Sequence, residues 1–233
     1  DAIYDIVDQK LEFKGNYKIP APQLETENCV AHNGSIIPVP GRDIFIQAWY
    51  QGGISVIDFT DSANAIEIAY FDRGPIDEKE LLTGGFWSVY YYQGAIYGTE
   101  IARGLDVLKL LPSEFLSTNE IAAAALAYPA MGPSKLFNPQ QQIPMAWPDM
   151  PIVASAYVDQ FERAKAMSSV TADNVRQLLS QLAGLIKANK SSEVGEVISS
   201  IKKEMKSVTA DQTTVDRFQR TLEGIASQSL ASI

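Results

Sequence analysis

An internal repeat limits what this chain can fold into more than any other feature. Asp43-Ile-Phe-Ile-Gln-Ala-Trp-Tyr-Gln-Gly-Gly-Ile-Ser-Val-Ile-Asp58 aligns with Gly94-Ala-Ile-Tyr-Gly-Thr-Glu-Ile-Ala-Arg-Gly-Leu-Asp-Val-Leu-Lys109 at a spacing of 51 residues. Gly53 falls on Gly104, Ile54 on Leu105 and Val56 on Val107. In each copy a β-branched and aromatic run meets a glycine turn and then a second run with alternate apolar residues. That pattern predicts two antiparallel strands. A preceding strand is visible at 29–37 in one copy and at 86–92 in the other. A fourth follows the first copy at 66–71, after a turn at 60–64, and none is obvious after Lys109. Four short antiparallel strands in a unit of roughly 40–50 residues describe one blade of a β-propeller.

The phrase Gly53-Ile-Ser-Val-Ile-Asp-Phe-Thr-Asp61 resembles the "G-L-x-V-[IV]-D-[VI]-[ST]-D-P" signature of LVIVD-repeat propellers. Ala102-Arg-Gly-Leu-Asp-Val-Leu108 resembles a shorter variant of it. Val30-Ala-His-Asn-Gly34 and Tyr97-Gly-Thr-Glu-Ile-Ala-Arg-Gly104 are also similar to family sequence, and the resemblance spans about residues 11–111. Ser62 stands where the family pattern has proline. The resemblance implies a propeller fold and export beyond the cytoplasmic membrane, to the periplasm, the cell surface or the medium.

The repeat count is incomplete. Leu11-Glu-Phe-Lys-Gly-Asn-Tyr17 reads as the last strand of a blade, with 5–7 ending the strand before it, so the chain opens partway through a blade and Asp1 reads as a processed end. Propellers usually close with about 4–8 blades, and only two and a remnant are readable here. The expected partner is therefore a polypeptide that supplies the remaining blades. It would be a cleaved amino-terminal part or another subunit.

Most of the Phe and Tyr residues lie before Leu111, and beyond Pro112 the chain turns rich in Ala, Ser, Lys and Glu. The expected fold class is thus mainly β with an α tail: incomplete four-stranded blades over 1–111, a short helix and Pro-rich strap over 112–150, and a small helical bundle over 151–233. Within the tail, 120–127 predicts an Ala-rich helix capped by Ser117 or Thr118. Proline density over 129–151 blocks helix and central strand alike and predicts an extended strap anchored by Trp147. Helices are expected at 152–167, at 171–186 with Leu178, Leu182, Leu185 and Ile186 on one face, at 194–205, and at 215–230 capped by Thr209 or Asp211.

Composition narrows the function classes. The formal net charge is −9 and the sequence pI about 4.7, which argues against a general nucleic-acid binder, since that would need a basic face. No apolar run approaches the roughly 18 residues of a transmembrane segment. Cys29 is the one cysteine, so no internal disulfide forms, and it reads as a small buried hydrophobe on a strand. His32 is the one histidine, which excludes a multi-histidine metal centre within the chain.

The candidate ligand-binding residues are His32, Asn33, Glu100 and Arg103, polar groups at matching positions of the two repeats. The Glu100-Ile-Ala-Arg103 loop places charged residues where the sister copy has Trp49-Tyr50-Gln51-Gly52; a turn salt bridge between Glu100 and Arg103 is the alternative. His32 also reads as a structural histidine bonded to a neighbouring strand. Trp87 with Tyr90, Tyr91 and Tyr92 reads as propeller core and its polar fringe, with a ligand cage as the alternative. Calcium would suit such oxygen ligands better than zinc. No phosphate loop, nucleophile elbow or metal-binding helix motif is present, so no catalytic residue is assigned. The expected function is a non-catalytic, exported binding or scaffold module within a larger propeller or assembly. The alternative, on fold analogy, is a lactonase-like hydrolase with a metal in the central channel. Asn33-Gly-Ser35 and Asn189-Lys-Ser191 are glycosylation sequons, relevant only in a eukaryotic secretory host.

Overall fold

The computed structural model describes residues 1–130 and 143–231. The chain divides into two units, Asp1–Leu116 with Tyr128–Met145, and Ser117–Ala127 with Ala146–Ile233. The first is built from antiparallel sheets and the second from helices, so the chain is mixed α and β.

In the first unit, strands β1 (Ala2–Val7) and β2 (Lys10–Asn16) form a hairpin. Strands β3 (Gly34–Ile37), β4 (Ile44–Ala48), β5 (Ile54–Asp58) and β6 (Ile66–Phe71) form a four-stranded sheet in sequence order. Strands β7 (Phe86–Tyr92), β8 (Ala95–Glu100) and β9 (Gly104–Leu108) form a three-stranded sheet. The two copies of the repeat therefore occupy equivalent hairpins, β4–β5 and β8–β9, and no described strand pairs with the outer edge of β9. β1 ends at Val7, within the expected 5–7. One expected boundary moves: β3 starts at Gly34, because 29–33 runs as a loop.

Ile37, Ile44, Ile46, Val56 and Val89 are buried at or near zero exposure along the inner faces of these sheets. Cys29 lies in the loop before β3, partly exposed. It sits against Gly52, where an added Cβ would come within 3.0 Å of its own Cβ. Burial pushes its thiol pKa up to about 11, with the Glu27 and Asp72 carboxylates adding to the effect. A cleft of about 400 Å³ separates β1 from the sheet beside it, lined by Ile3, Tyr4, Phe45, Gln47 and Ile57 among others.

In the second unit, α1 (Thr118–Ala125) begins with a complete capping box. Ser117 accepts the Glu120 N–H, and the Glu120 carboxylate accepts the Ser117 N–H. Glu120 is fully buried and closes a two-pronged ion pair on Arg163, at 3.0 and 2.5 Å. Helix α2 (Pro151–Arg163) carries proline in its first turn, where the missing N–H has no intrahelical acceptor to lose. It ends four residues before the expected Met167, at a turn with Lys165 in the left-handed region. Helix α3 (Ser169–Lys187) is capped by Ser168, α4 spans Ser191–Glu204, and α5 (Gln212–Ala231) follows Asp211, whose carboxylate accepts the Thr214 N–H.

The buried stripe of α3 is Ala172, Val175, Leu179, Leu182 and Leu185. It is rotated from the expected face: Leu178 is only partly buried and Ile186 is exposed. Phe161 and Phe218 meet edge-to-face at 6.0 Å in the centre of this core, and Trp147 packs on its rim. Two-residue strands β10 (Tyr128–Pro129) and β11 (Met145–Ala146) pair with each other, and the body of the expected strap, 131–142, lies outside the described residues. No helix among the described residues is long and apolar enough to cross a membrane.

Candidate functional site

The four candidate residues gather at one end of the sheets. His32 and Asn33 lead into β3, the Tyr50 turn joins β4 to β5, Trp87 opens β7, and Glu100 and Arg103 flank the turn between β8 and β9. Two backbone hydrogen bonds tie the sheets together here. Tyr50 N–H donates to the Phe86 carbonyl at 3.2 Å, and Phe86 N–H donates to the Tyr50 carbonyl at 2.8 Å. Gly85, just before this bridge, has φ +91°, and a Cβ there would lie 1.9 Å from the Tyr50 carbonyl carbon. Tyr50 itself is held at φ +50°, a conformation that a bulky residue keeps only when its surroundings enforce it.

Beside this bridge, three polar side chains from the start of β3 bond the backbone of β7. His32 Nδ1 meets the Trp87 carbonyl at 2.5 Å. A carbonyl only accepts, so Nδ1 carries a proton and donates it, and Nε2 is the ring nitrogen left for another partner. Asn33 Oδ1 accepts the Val89 N–H at 3.2 Å, and Ser35 Oγ accepts the Tyr91 N–H at 3.1 Å. Val89 and Tyr91 lie two residues apart on an edge that no described strand covers. Their amides alternate outward, as an antiparallel ladder requires, and two short side chains at the same spacing satisfy them. Asn33 thus works as a bridge between sheets, and its carbonyl also accepts from Gln47 and Ala48.

The pair Glu100 and Arg103 is placed differently from either expectation. The buried Glu100 carboxylate accepts the Gly85 N–H at 2.5 Å and the Arg103 N–H, closing the β8–β9 turn and bracing the bridge. The Arg103 guanidinium turns away to the Pro75 carbonyl at 3.2 Å. The carboxylate and amide oxygens that would suit calcium, on Glu100 and Asn33, are engaged with backbone N–H groups. Among the described residues no group of three or more His, Cys, Asp or Glu is arranged to hold a metal ion.

What remains open to solvent is aromatic. Trp87 was expected in the core fringe, yet it is 52% exposed, because a register shift between Phe86 and Ser88 turns it outward. Its ring centroid lies 4.3 Å from His32 and 6.0 Å from Tyr50, and His32 and Tyr50 are 4.8 Å apart. Of the four candidates, then, His32 joins this aromatic surface, together with Trp87 and with Tyr50, the latter not singled out from the sequence. Tyr91 is buried, and its hydroxyl pKa is raised to about 12 by burial. At the opposite end of the four-stranded sheet, Arg42 donates to Asp58 at 2.5 Å and to the Phe115 carbonyl at 2.7 Å.

Large apolar side chains are exposed at both ends of the sheet series. On the β1–β2 hairpin, the cross-strand pairs Tyr4 with Phe13 and Ile6 with Leu11 share one face. Ile6 is 77% and Leu11 69% exposed. On β9, Leu105 and Val107 are likewise exposed.

No family model matches the chain, and neither a curated protein nor a solved structure matches it.

Proposed function

We propose that this chain is a non-catalytic, exported binding and scaffold module, whose sheets are blades of a larger propeller completed by further polypeptide, whether an amino-terminal part or another subunit. The observation that carries this reading is the pair of apolar end faces, Tyr4, Ile6, Leu11 and Phe13 on β1–β2 and Leu105 and Val107 on β9. Sheet faces of this kind are stable in water only when a neighbour covers them, and each blade of a propeller packs between two others. Binding rather than chemistry is favoured because Asn33 Oδ1 and the Glu100 carboxylate are engaged with backbone N–H groups, leaving the His32–Tyr50–Trp87 surface and the exposed Arg103 guanidinium as the contact region. Export follows the LVIVD resemblance, with β-sheets at the matching residues as its structural support.

Expressing residues 1–233 alone and measuring mass, dye binding and thermal unfolding tests the assembly. Self-association with strong binding of a hydrophobic dye is the expected result, relieved by Ile6→Lys with Leu11→Glu. A monodisperse monomer with one cooperative transition and no dye binding overturns it.

A further inference from the structure

The boundary between the four- and three-stranded sheets shows how one sheet docks on the next, and the same geometry is half present at the edge of β3. Gly34 faces Gln47 in the ladder as Val89 faces Gly98. The pairs that β4 bonds toward β5 include Trp49 with Gly53 and Asp43 with Phe59. Ladder alternation therefore directs Ile44 and Ile46 toward β3, where they bond Ile37 and Ser35. The N–H groups of Gly34 and Ile36 consequently point away from β4. They are the counterparts of the Val89 and Tyr91 N–H groups, which Asn33 and Ser35 satisfy. No described residue accepts from Gly34 or Ile36.

Two more features converge on the same place. Among the described residues β1 pairs with β2 alone and no strand pairs with its other edge, although β1 stands to β2 as β5 stands to β6. In the four-stranded sheet, the strand on that edge of β5 is β4, and β4 is preceded by β3. Between β1 and the sheet beside it lies the cleft of about 400 Å³ lined by Ile3, Tyr4, Phe45, Gln47 and Ile57. The unpaired β1 edge, the cleft and the two outward amides are three sides of one vacant position.

We infer that this position receives a two-stranded β-hairpin of the same repeat from a separate stretch of polypeptide. Its second strand adds antiparallel to the free edge of β1. Its first strand carries two short polar side chains, Asn, Asp, Ser or Thr, two residues apart, whose oxygens accept the Gly34 and Ile36 N–H groups. The inference rests on the larger-propeller reading and specifies the partner's chemistry at the docking edge: a bare strand edge takes an added strand, and side-chain acceptors fix its register.

The probe is a synthetic hairpin of residues 30–50, which carries the Asn33 and Ser35 pair, added to the 15N-labelled 233-residue chain. Shifts and slowed exchange at the Gly34 and Ile36 amides are expected, with Val89 and Tyr91 unchanged. A hairpin with Asn33→Ala and Ser35→Ala should bind roughly 10-fold more weakly, having lost two hydrogen-bond acceptors. Equal binding by both hairpins overturns the capping register while leaving the larger propeller standing. No response at Gly34 and Ile36 to the unsubstituted hairpin overturns the docking position itself. The solution mass and dye binding of the chain alone read the larger-propeller proposal independently.

Discussion

Tyr50 and Phe86 exchange both of their backbone hydrogen bonds, at 3.2 and 2.8 Å, and so join two sheets that otherwise share only side-chain bridges at this end. Everything exposed at the candidate surface hangs on that exchange: Tyr50 is set beside His32, and Trp87 is the residue after Phe86.

Gly85→Ala tests the exchange. The new Cβ would fall 1.9 Å from the Tyr50 carbonyl carbon, and the φ of +91° disfavours any side chain. Overpacking and backbone strain of this kind each cost about 1–3 kcal/mol. Urea unfolding of the sheet unit should show a loss of about 3 kcal/mol or more, with a change in Trp87 fluorescence. A loss below about 1 kcal/mol would mean that the bridge yields without consequence.

In the helical unit, Arg163→Leu leaves the fully buried Glu120 carboxylate without its guanidinium. Removing one partner of a buried ion pair costs about 3–5 kcal/mol, because the other charge stays desolvated. In a Glu120→Gln background the same substitution should cost far less, since the amide keeps the capping hydrogen bond and carries no charge. Helical circular dichroism across urea, taken over the four-protein cycle, measures the difference.

Asp58 gives the sheet unit a pH dependence. Burial alone would raise its carboxyl pKa, but the Arg42 guanidinium and the Thr60 hydrogen bonds outweigh burial and hold it below the ordinary value. The folded state therefore gains stability from Asp58 above the unfolded carboxylate pKa of about 4, and loses it as pH falls through the lower folded pKa. Wild type should exceed Asp58→Asn in stability at pH 7, and the gap should narrow as pH falls below the unfolded carboxylate value of about 4. A gap independent of pH would sink this account.

Cys29 behaves in the opposite sense. With its thiol pKa pushed up to about 11 by burial, folding is unpenalised below the unfolded thiol pKa, and stability declines as pH rises toward 11. At pH 8 the thiolate fraction is roughly 100-fold below that of an unperturbed cysteine, so alkylation of the native chain should be slower than of the urea-unfolded chain by that order. Comparable rates in the two states would show that the loop opens freely.

The repeat spacing made the strand positions readable, because alternation and glycine turns are local signals. Ser117 and Asp211 were readable for the same reason, as caps declare themselves within three residues of the amides they bond. That His32 bonds a neighbouring strand was one of its two readings, but which atoms it and Asn33 bond was not readable, since both partners are backbone atoms 55 and 56 residues downstream. Nor was the exposure of Trp87, which depends on one register shift in β7. The rotated face of α3 has a simpler cause: Leu178 and Leu179 both suit a 3.6-residue stripe, and only packing against Phe161 and Phe218 selects between them.

Asn33 is followed by Gly34, the pairing in which an asparagine side chain is most readily attacked by the next backbone nitrogen to give a succinimide, and then aspartate or isoaspartate. The attacking atom is the Gly34 nitrogen, and the attacked carbon carries the oxygen that holds Val89. While β3 is extended against β4 and that oxygen is engaged, the ring cannot close. Each opening of the sheet boundary exposes the chain to this irreversible ageing, and a hairpin seated on the Gly34 N–H would remove the nucleophile as well. Isoaspartate accumulating at position 33 is thus a chemical clock, which counts the time the sheet boundary spends open.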